Sequence, residues 1–191
     1  MAQLQDKVAI ITGAARGLGR AYAEAMAREG AAIFACDVNS CDETVAAIAA
    51  MGGRADSAVT DIASMASCTA MAEQAVSAFG KIDVLVNNAG GSQGNEWEAD
   101  AFDQSIVVNL SSVFHLSSAC KELLSASPFP GGASVVGIAS MTSYFGFEWT
   151  PGYGPAKAGL VQLIKTLGMS WGQLGIRANA VAAGLTRSNL T

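Results

Sequence analysis

Short apolar runs alternate along the chain with longer stretches that have the spacing of helices. Runs of roughly four to six apolar residues are typical of strands buried on both faces of a parallel sheet. The pattern predicts six strands, at residues 8–11, 32–36, 58–60, 84–86, 134–138 and 177–181. Between them it predicts five helices, at residues 18–28, 43–51, 64–79, 102–125 and 152–173.

Strands and helices that alternate in this way predict an α/β fold. We expect one doubly wound parallel sheet of the Rossmann type, in three layers, α/β/α. The breaks between elements are short turns rich in glycine and proline, such as residues 52–53 and 127–132. No stretch has the composition of an interdomain linker, so residues 1–191 are expected to form a single domain.

The amino-acid composition indicates a folded chain and limits the kinds of molecule that it is expected to bind. Hydrophobic residues make up 51% of the chain and charged residues 14%, which supports a large core and excludes a mainly disordered chain. The chain has 11 Lys and Arg against 16 Asp and Glu, a net charge of −5. Such a balance gives no electrostatic reason to bind nucleic acid or an anionic membrane surface. We expect small molecules and other protein subunits as partners.

The cysteines show no metal-binding spacing. Cys36, Cys41, Cys68 and Cys120 include no Cys-x-x-Cys pair, and His115 is the one histidine of the sequence. The first residues lack the features of a secretory signal, and no run reaches the roughly 20 apolar residues of a membrane span. These features predict reduced thiols, no metal site, no membrane insertion and a cytoplasmic location.

A glycine-rich turn follows the first predicted strand and leads into a helix. Its sequence is Thr12-Gly13-Ala14-Ala15-Arg16-Gly17-Leu18-Gly19. Gly13 suits a tight turn, Gly17 lets the backbone approach phosphates, and Gly19 allows close contact between helix and strand. Together with the unpaired N–H groups of the helix start, the turn predicts a site for a dinucleotide pyrophosphate. An ordinary strand-to-helix turn is the alternative.

An acidic residue closes the second predicted strand. Asp37 lies close to the offset of roughly 20 residues from the loop at which a carboxylate binds the adenosine ribose. Its charge repels the 2′-phosphate of NADP and therefore favours NAD. Arg16 is the counterargument, since a guanidinium in the loop could bind that phosphate. We expect NAD, with NADP as the alternative.

One tyrosine has a lysine one helical turn later. Tyr153 is followed by Lys157, whereas Tyr22 and Tyr144 have no basic residue at that spacing. The spacing puts phenol and ammonium on one helix face, where the positive charge stabilises phenolate. A charge about 4 Å away, at an effective dielectric near 20, supplies about 4 kcal/mol. That is enough to move a tyrosine pKa from about 10 toward neutrality.

These motifs together resemble the short-chain dehydrogenase/reductase family. They are the glycine loop, Asn87-Asn88-Ala89-Gly90 after the fourth predicted strand, Ser140 after the fifth, and Tyr153-x-x-x-Lys157. The resemblance covers nearly the whole chain, from Lys7 to Ser188. It implies an NAD(P)-dependent enzyme acting on CH–OH groups, with reversible hydride transfer to a ketone such as a 3-oxoacyl, steroid-like or sugar carbonyl.

The resemblance also implies a role for each matched residue. Tyr153 would exchange a proton with the substrate oxygen, and Ser140 would polarise the carbonyl. Lys157 would lower the pKa of Tyr153 and hold the nicotinamide ribose, and Asn109 would hold a proton-relay water. The implied cofactor-binding residues are Gly13, Arg16, Gly17, Leu18, Gly19, Asp37, Asp61, Ile62, Asn88, Ala89, Gly90, Tyr153, Lys157, Gly184 and Thr186.

Several of these residues have plain structural alternatives. Asp61 could be the N-cap of the next helix, and Ser140 could be a cap or turn residue. The family commonly has Pro-Gly after the sixth strand, where this chain has Ala183-Gly184. The aromatic residues at positions 144, 145, 147 and 149 could line an apolar substrate pocket, or they could belong to the core or to an interface.

Two other functions compete with the dehydrogenase. One is a non-catalytic nucleotide-binding or regulatory subunit; the other is a Rossmann methyltransferase, which would not require Ser140, Tyr153 and Lys157 in this register. Family chains normally continue for several tens of residues beyond the position of Thr191, so we expect the substrate-covering lobe to lie outside this sequence. The alternative is a truncated relative with an exposed sheet edge and an open pocket. The resemblance further implies a homo-oligomer, either a dimer or a tetramer.

Overall fold

The computed structural model describes residues 2–186. The strands are β1 Val8–Thr12, β2 Ala32–Asp37, β3 Ala55–Val59, β4 Val84–Asn87, β5 Ala133–Ser140 and β6 Ile176–Ala183. The helices are α1 Gly17–Arg28, α2 Asp42–Ala50, α3 Met65–Phe79, α4 Ala99–Ile106, α5 Ser112–Ser125 and α6 Tyr153–Trp171. A π-helical turn, Val107–Ser111, joins α4 to α5, and 3-10 turns at Met141–Ser143 and Gly172–Leu174 follow β5 and α6.

The strands form a parallel sheet in the order β3-β2-β1-β4-β5-β6. From β1 the chain winds outward to β3, returns to β4 beside β1, and winds outward in the other direction to β6. This topology confirms the predicted doubly wound Rossmann fold. The winding direction reverses between β1 and β4, and folds of this type bind ligands outside the carboxyl ends of the strands at such a reversal.

Strand side chains alternate between two apolar layers. Ile10, Phe34 and Leu85 face the layer formed with α3, α5 and α6. Ile11 and Ile33 face the layer formed with α1 and α2. All five side chains are buried. Burial on both faces explains why the central strands have continuous apolar runs rather than alternating ones.

The helix predicted over residues 102–125 is present, but a π-helical turn interrupts its α-helical hydrogen bonding. Helix α4 begins at Ala99, and the π-helical turn separates it from α5 at Asn109. The Nδ2 of Asn109 donates to the carbonyl oxygen of Ser105 at 2.9 Å. An α-helix would use that carbonyl for the backbone N–H of Asn109, so the side chain competes for it and the helix widens.

The other differences are at element ends. Strand β3 begins at Ala55, ahead of the predicted 58–60, because Asp56 and Ser57 hide the apolar pattern of this partly exposed edge strand. Strand β6 is longer than the predicted 177–181. Helix α6 begins at Tyr153, which places Pro155 in the first turn, where its missing N–H removes no helical hydrogen bond.

The four cysteines are free and buried. Burial raises the pKa of Cys41 to about 11 and that of Cys120 to about 12, so these thiols stay protonated near neutral pH. Between residues 2 and 186 the structure places no three His, Cys, Asp or Glu side chains where they could share a metal ion. In the same range, no helix is long and apolar enough to cross a membrane.

Candidate active site

The predicted site residues lie along the carboxyl edge of the sheet. The glycine loop follows β1, Asp37 ends β2, Asp61 and Ile62 follow β3, Asn88, Ala89 and Gly90 follow β4, Ser140 ends β5, and Gly184 and Thr186 follow β6. Tyr153 and Lys157 lie at the start of α6, and Asn109 lies in the π-helical turn. After β6 the Oγ1 of Thr186 donates to the carbonyl oxygen of Gly184 at 3.3 Å.

Two glycines of the loop are packed too closely for a side chain. A Cβ on Gly19 would collide with the carbonyl oxygen of Gly13, and one on Gly13 would lie 2.9 Å from Nδ2 of Asn88. Gly13 and Gly17 have left-handed φ values of 66° and 59°. No atom lies within 4 Å of the Cβ position of Gly17. The loop is therefore closed at Gly13 and Gly19 and open at Gly17.

The first N–H groups of α1 have no side-chain cap. Arg16 is the N-cap residue, but its side chain forms no capping hydrogen bond, and the first turn holds no acidic residue. Leu18 follows Gly17 in the first turn and is half-buried. Uncapped N–H groups carry the positive end of the helix dipole, so an anion is stabilised beside them.

The closed packing at Gly19 gives a stability prediction. We expect Gly19→Ala to lower the free energy of unfolding by about 3 kcal/mol and Tm by about 6–12 °C, because the added methyl meets backbone, which cannot rotate away. Thermal unfolding followed by circular dichroism measures the effect. Gly172→Ala is the matched control, since its Cβ would meet nothing within 4 Å. Equal Tm values for the two variants would contradict the packing described here.

Hydrogen bonds join the end of β4 to the glycine loop. The Nδ2 of Asn88 donates to the carbonyl oxygen of Thr12 at 2.9 Å. The backbone N–H groups of Asn88 and Ala89 donate to Oγ1 of Thr12 at 3.0 and 2.9 Å. Sequence reasoning gave Thr12 no role in the site. The available signal was a hydroxyl residue at the end of an otherwise apolar strand.

Asp37 is half-buried beside the glycine loop. Its Oδ2 accepts a hydrogen bond from the backbone N–H of Ala15 at 3.2 Å, and its Oδ1 accepts from the backbone N–H of Asn39 at 3.0 Å. Arg16 is exposed, and among the described residues no salt bridge joins it to Asp37. The carboxylate is thus fixed in position, and no basic side chain neutralises it.

Asp61 and Ile62 follow β3 and have no hydrogen bond to the glycine loop among those described. Asp61 is exposed, and its Oδ1 accepts from the backbone N–H of Ala63 at 2.9 Å. The alternative interpretation of Asp61 as a helix cap is wrong, because the N-cap of α3 is Ser64, whose Oγ accepts from the N–H of Ser67. Ile62 is buried in the apolar layer with α3.

Asn109, Gly90 and Lys157 converge under the loop after β4. The side chain of Asn109 is buried; its Oδ1 accepts from the N–H of Gly91 and its Nδ2 donates to the carbonyl of Gly91, both at 2.9 Å. A Cβ on Gly90 would collide with Oδ1 of Asn109 and lie 3.2 Å from Nζ of Lys157. The Nζ of Lys157 donates to the carbonyl oxygen of Ile138 at 2.8 Å.

Ser140 contacts Tyr153 and also caps a turn. Its Oγ accepts from the N–H of Thr142 at 3.2 Å, in a capping box that begins the 3-10 turn after β5. The same side chain lies near enough to the phenol of Tyr153 to lower its pKa. On α6, the Nζ of Lys157 lies 5.6 Å from the centroid of the Tyr153 ring. The structure therefore brings Ser140, Tyr153 and Lys157 together.

Burial dominates the ionisation of Tyr153 and Lys157. Burial raises the pKa of Tyr153, the side chain of Ser140 opposes this effect, and the negative charge of Glu96 adds to it. Burial lowers the pKa of Lys157 to about 8. The expectation that Lys157 brings the pKa of Tyr153 toward neutrality is not met by this arrangement, because burial and the charge of Glu96 raise that pKa, and the ammonium of Lys157 is bonded to a backbone carbonyl.

Sequence reasoning missed Glu96. It lies in the loop before α4 and is 1% exposed. Its Oε2 accepts from the backbone N–H of Tyr153 at 2.8 Å. No motif marks this residue, because an acidic residue among glycine and asparagine is ordinarily solvated.

An apolar groove opens beside the first turn of α6. This groove, the aromatic groove, has a volume of about 400 Å³ and is lined by Thr142, Tyr144, Phe145, Gly146, Phe147, Thr150, Pro151, Gly154, Pro155 and Ala158. Its three aromatic side chains are 41–65% exposed, so the alternative that they belong to the core is wrong. The lining contains no charged side chain. Trp149, which lies outside the lining, is also exposed.

The comparisons with known proteins agree with this arrangement. The short chain dehydrogenase family matches residues 7–191. An uncharacterised oxidoreductase of Bacillus subtilis (strain 168) is 36% identical, over 100% of this chain and 70% of that protein. D-threitol dehydrogenase of Mycolicibacterium smegmatis (strain ATCC 700084 / mc(2)155) is 35% identical, over 98% of this chain and 73% of that protein. The crystal structure of levodione reductase superposes with a TM-score of 0.90 at 32% identity, over 98% of this chain and 75% of that protein.

Together, the fold and its relatives define an oxidoreductase built on a Rossmann sheet. The chain belongs to the short-chain dehydrogenase family.

Proposed function

We propose that the protein is an NAD-dependent oxidoreductase that interconverts a ketone and a secondary alcohol, with Tyr153 as general acid and base. The observation that carries this proposal is the meeting of Ser140, Tyr153 and Lys157 at the carboxyl edge of the sheet. Relatives named as dehydrogenases and reductases support the reaction class.

The described residues fit a dinucleotide. The reversal of winding between β1 and β4, the room at Gly17 and the uncapped N–H groups of α1 suit a pyrophosphate. The residues that would hold the cofactor are Gly13, Arg16, Gly17, Leu18, Gly19, Asp37, Asp61, Ile62, Asn88, Ala89, Gly90, Tyr153, Lys157, Gly184 and Thr186. When bound, nicotinamide supplies or accepts the hydride at the substrate carbon.

The polar groups of the site suit the proton transfer that accompanies hydride transfer. Reduction of a ketone builds negative charge on its oxygen, which the hydroxyl of Ser140 would stabilise. Because burial raises the pKa of Tyr153, the phenol is protonated near neutral pH and can donate to that oxygen. In alcohol oxidation the same group acts as the base. Lys157 would bind the nicotinamide ribose, and Asn109 would hold a relay water.

The cofactor preference rests on Asp37 and gives a second prediction. Wild type should bind NADH more tightly than NADPH, because the fixed carboxylate repels a 2′-phosphate. In Asp37→Ser the ratio of the two Kd values should move toward NADPH by about a hundredfold, since like-charge contacts cost several kcal/mol. Fluorescence titration of each nucleotide measures the ratio.

Asp56→Ser on the exposed β3 edge is the matched control for charge removal and should leave the ratio unchanged. Tighter binding of NADPH than of NADH to wild type would overturn the assignment to NAD and give Arg16 the deciding role.

The aromatic groove points to an apolar ketone as substrate. Its lining is uncharged, and its aromatic side chains suit a carbocyclic or aryl group better than a polyhydroxylated chain. The experiment is a panel of cyclic, aryl and sugar-derived ketones, followed through nicotinamide absorbance with NADH and with NADPH. Turnover of cyclic or aryl ketones supports the proposal, and turnover of sugar-derived ketones alone would overturn this substrate class.

Two competing functions make different predictions in the same assays. A regulatory nucleotide-binding subunit would bind NADH and turn over no carbonyl. A methyltransferase would bind no nicotinamide nucleotide. The proximity of Ser140, Tyr153 and Lys157 favours the dehydrogenase over both, since neither alternative needs these three residues together.

We also propose a cytoplasmic homo-oligomer, either a dimer or a tetramer. Buried free thiols are consistent with a reducing compartment. Phe114 on α5 and Met169 on α6 are 49% and 85% exposed, as apolar residues at a subunit interface would be before assembly.

A further inference from the structure

Glu96 is a buried carboxylate outside every motif of the sequence. It is 1% exposed, and no salt bridge of the described residues includes it. A buried charge without a cation needs several hydrogen bonds. Its Oε1 accepts from Oγ of Ser105 at 2.8 Å, Oγ of Ser92 at 2.9 Å and N of Gln93 at 3.1 Å.

The other carboxylate oxygen holds the start of α6. Oε2 of Glu96 accepts from the backbone N–H of Gly152 at 3.0 Å and of Tyr153 at 2.8 Å. The N-cap Gly152 offers no side chain, and the first turn of α6 contains no acidic residue. Glu96 therefore caps this helix from a distant loop, with its negative charge at the positive end of the helix dipole.

The same carboxylate is connected to Asn109. The Oγ of Ser105, which bonds Glu96, lies 3.3 Å from Nδ2 of Asn109, and the carbonyl of Ser105 accepts from that Nδ2 at 2.9 Å. Glu96 thus joins the loop after β4 to the first residue of α6, and through Ser105 of α4 it reaches Asn109 in the π-helical turn.

We propose that Glu96 is a positioning residue that fixes Tyr153, and through Ser105 also Asn109, for proton transfer. This inference rests on the proposed function, in which Tyr153 is the acid and base. Glu96 acts in two ways: its hydrogen bonds hold the backbone from which the phenol extends, and its charge opposes the formation of phenolate.

Two parts of the chain place charged groups near Tyr153. Lys157 of α6 lies 5.6 Å from its ring centroid, and Glu96 reaches it from the loop before α4. The uncharged side chain of Ser140 on β5 lowers the pKa of Tyr153. Of these three side chains Glu96 carries the negative charge, so removal of that charge should make the phenolate of Tyr153 easier to form.

Glu96→Gln removes the charge and nearly keeps the shape of the side chain. The pKa of Tyr153 can be read from the absorbance of tyrosinate during a pH titration, after Tyr22 and Tyr144 are replaced by Phe. The sequence contains three tyrosines, so Tyr153 is then the sole phenol. We expect its midpoint to fall by about one pH unit in the Glu96→Gln variant. This readout requires no catalytic activity.

Kinetics test the positioning role. For alcohol oxidation by Glu96→Gln we expect kcat to fall by about tenfold or more, KM for NAD to stay unchanged, and the rising limb of the pH profile to move to lower pH. Glu98→Gln is the matched control, because Glu98 is exposed in the same loop. Ser105→Ala keeps the charge but removes one tether, so it should lower kcat without moving the pH profile.

The outcomes separate the two proposals. An unchanged tyrosinate midpoint and an unchanged kcat in Glu96→Gln, with only a lower Tm, would overturn the role of Glu96. A wild-type protein that reduces no carbonyl would overturn the proposed function instead. If Glu96→Gln fails to fold, Ser105→Ala decides: kcat equal to wild type would reject the tether between Glu96 and Asn109.

Discussion

Replacing Tyr153 by Phe is expected to lower kcat for carbonyl reduction by about 10³-fold, because the variant keeps the ring and loses the proton donor. Binding of NADH should persist, since Phe fills the same space at the start of α6 and the glycine loop lies elsewhere. Steady-state kinetics with the best ketone of the panel and a fluorescence titration with NADH measure the two effects.

Tyr144→Phe is the matched control for this substitution. Tyr144 is 64% exposed in the aromatic groove and has no lysine one helical turn later. The Tyr144→Phe variant loses one hydroxyl, which can change KM for the ketone but should leave kcat unchanged. Full activity in Tyr153→Phe, or an equal loss in both variants, would contradict the role given to Tyr153.

Lys157→Met is expected to lower kcat by about 10²-fold while making the fold more stable below pH 8. Lys157 is 3% exposed and its ammonium has one backbone carbonyl as its hydrogen-bond partner. Burial lowers its pKa from 10.5 to about 8, and this displacement corresponds to about 3 kcal/mol against folding when the group is charged. Met fills a similar volume without the charge.

The sign of the pH dependence follows from the lowered pKa. Below about 8 the lysine is charged in both states, and the folded state is fully penalised. Between about 8 and 10.5 the unfolded chain binds the extra proton, so the stability of wild type rises with pH. Above 10.5 the penalty has disappeared.

Denaturant unfolding at several pH values tests this prediction. The rise in stability between about pH 8 and 10.5 should be present in wild type and absent in Lys157→Met. Lys165→Met, on the exposed side of the same helix, should keep the wild-type dependence. Loss of stability in Lys157→Met at neutral pH would show that the buried ammonium stabilises the fold.

Local rules predicted much of the fold. Apolar runs located β1, β2, β4 and β5 because these strands are buried on both faces, and the strand-helix alternation then favoured the doubly wound sheet. The rules failed where tertiary contacts decide. The π-helical turn depends on a bond from Asn109 to the carbonyl of Ser105 and on contacts with Gly91, and no periodicity encodes these contacts.

The candidate site was predictable where spacing alone brings groups together. Tyr153 and Lys157 share one helix, and the glycines share one loop, so sequence spacing was sufficient. Glu96 was not predictable, because its partners Gly152 and Tyr153 are distant in the sequence and become neighbours after folding. The ionisation of Tyr153 was misjudged for the same reason: burial and Glu96 do not appear in a local pattern.

In the proposed reaction the protein moves a hydride between nicotinamide and a carbonyl carbon. The most direct test supplies NADH carrying deuterium at its reactive ring carbon, together with the ketone panel, and analyses the products by mass spectrometry. We expect an alcohol with deuterium on the former carbonyl carbon, and we expect this product to be lost in Tyr153→Phe. Tight binding of NADH with no deuterium transferred to any ketone would contradict it.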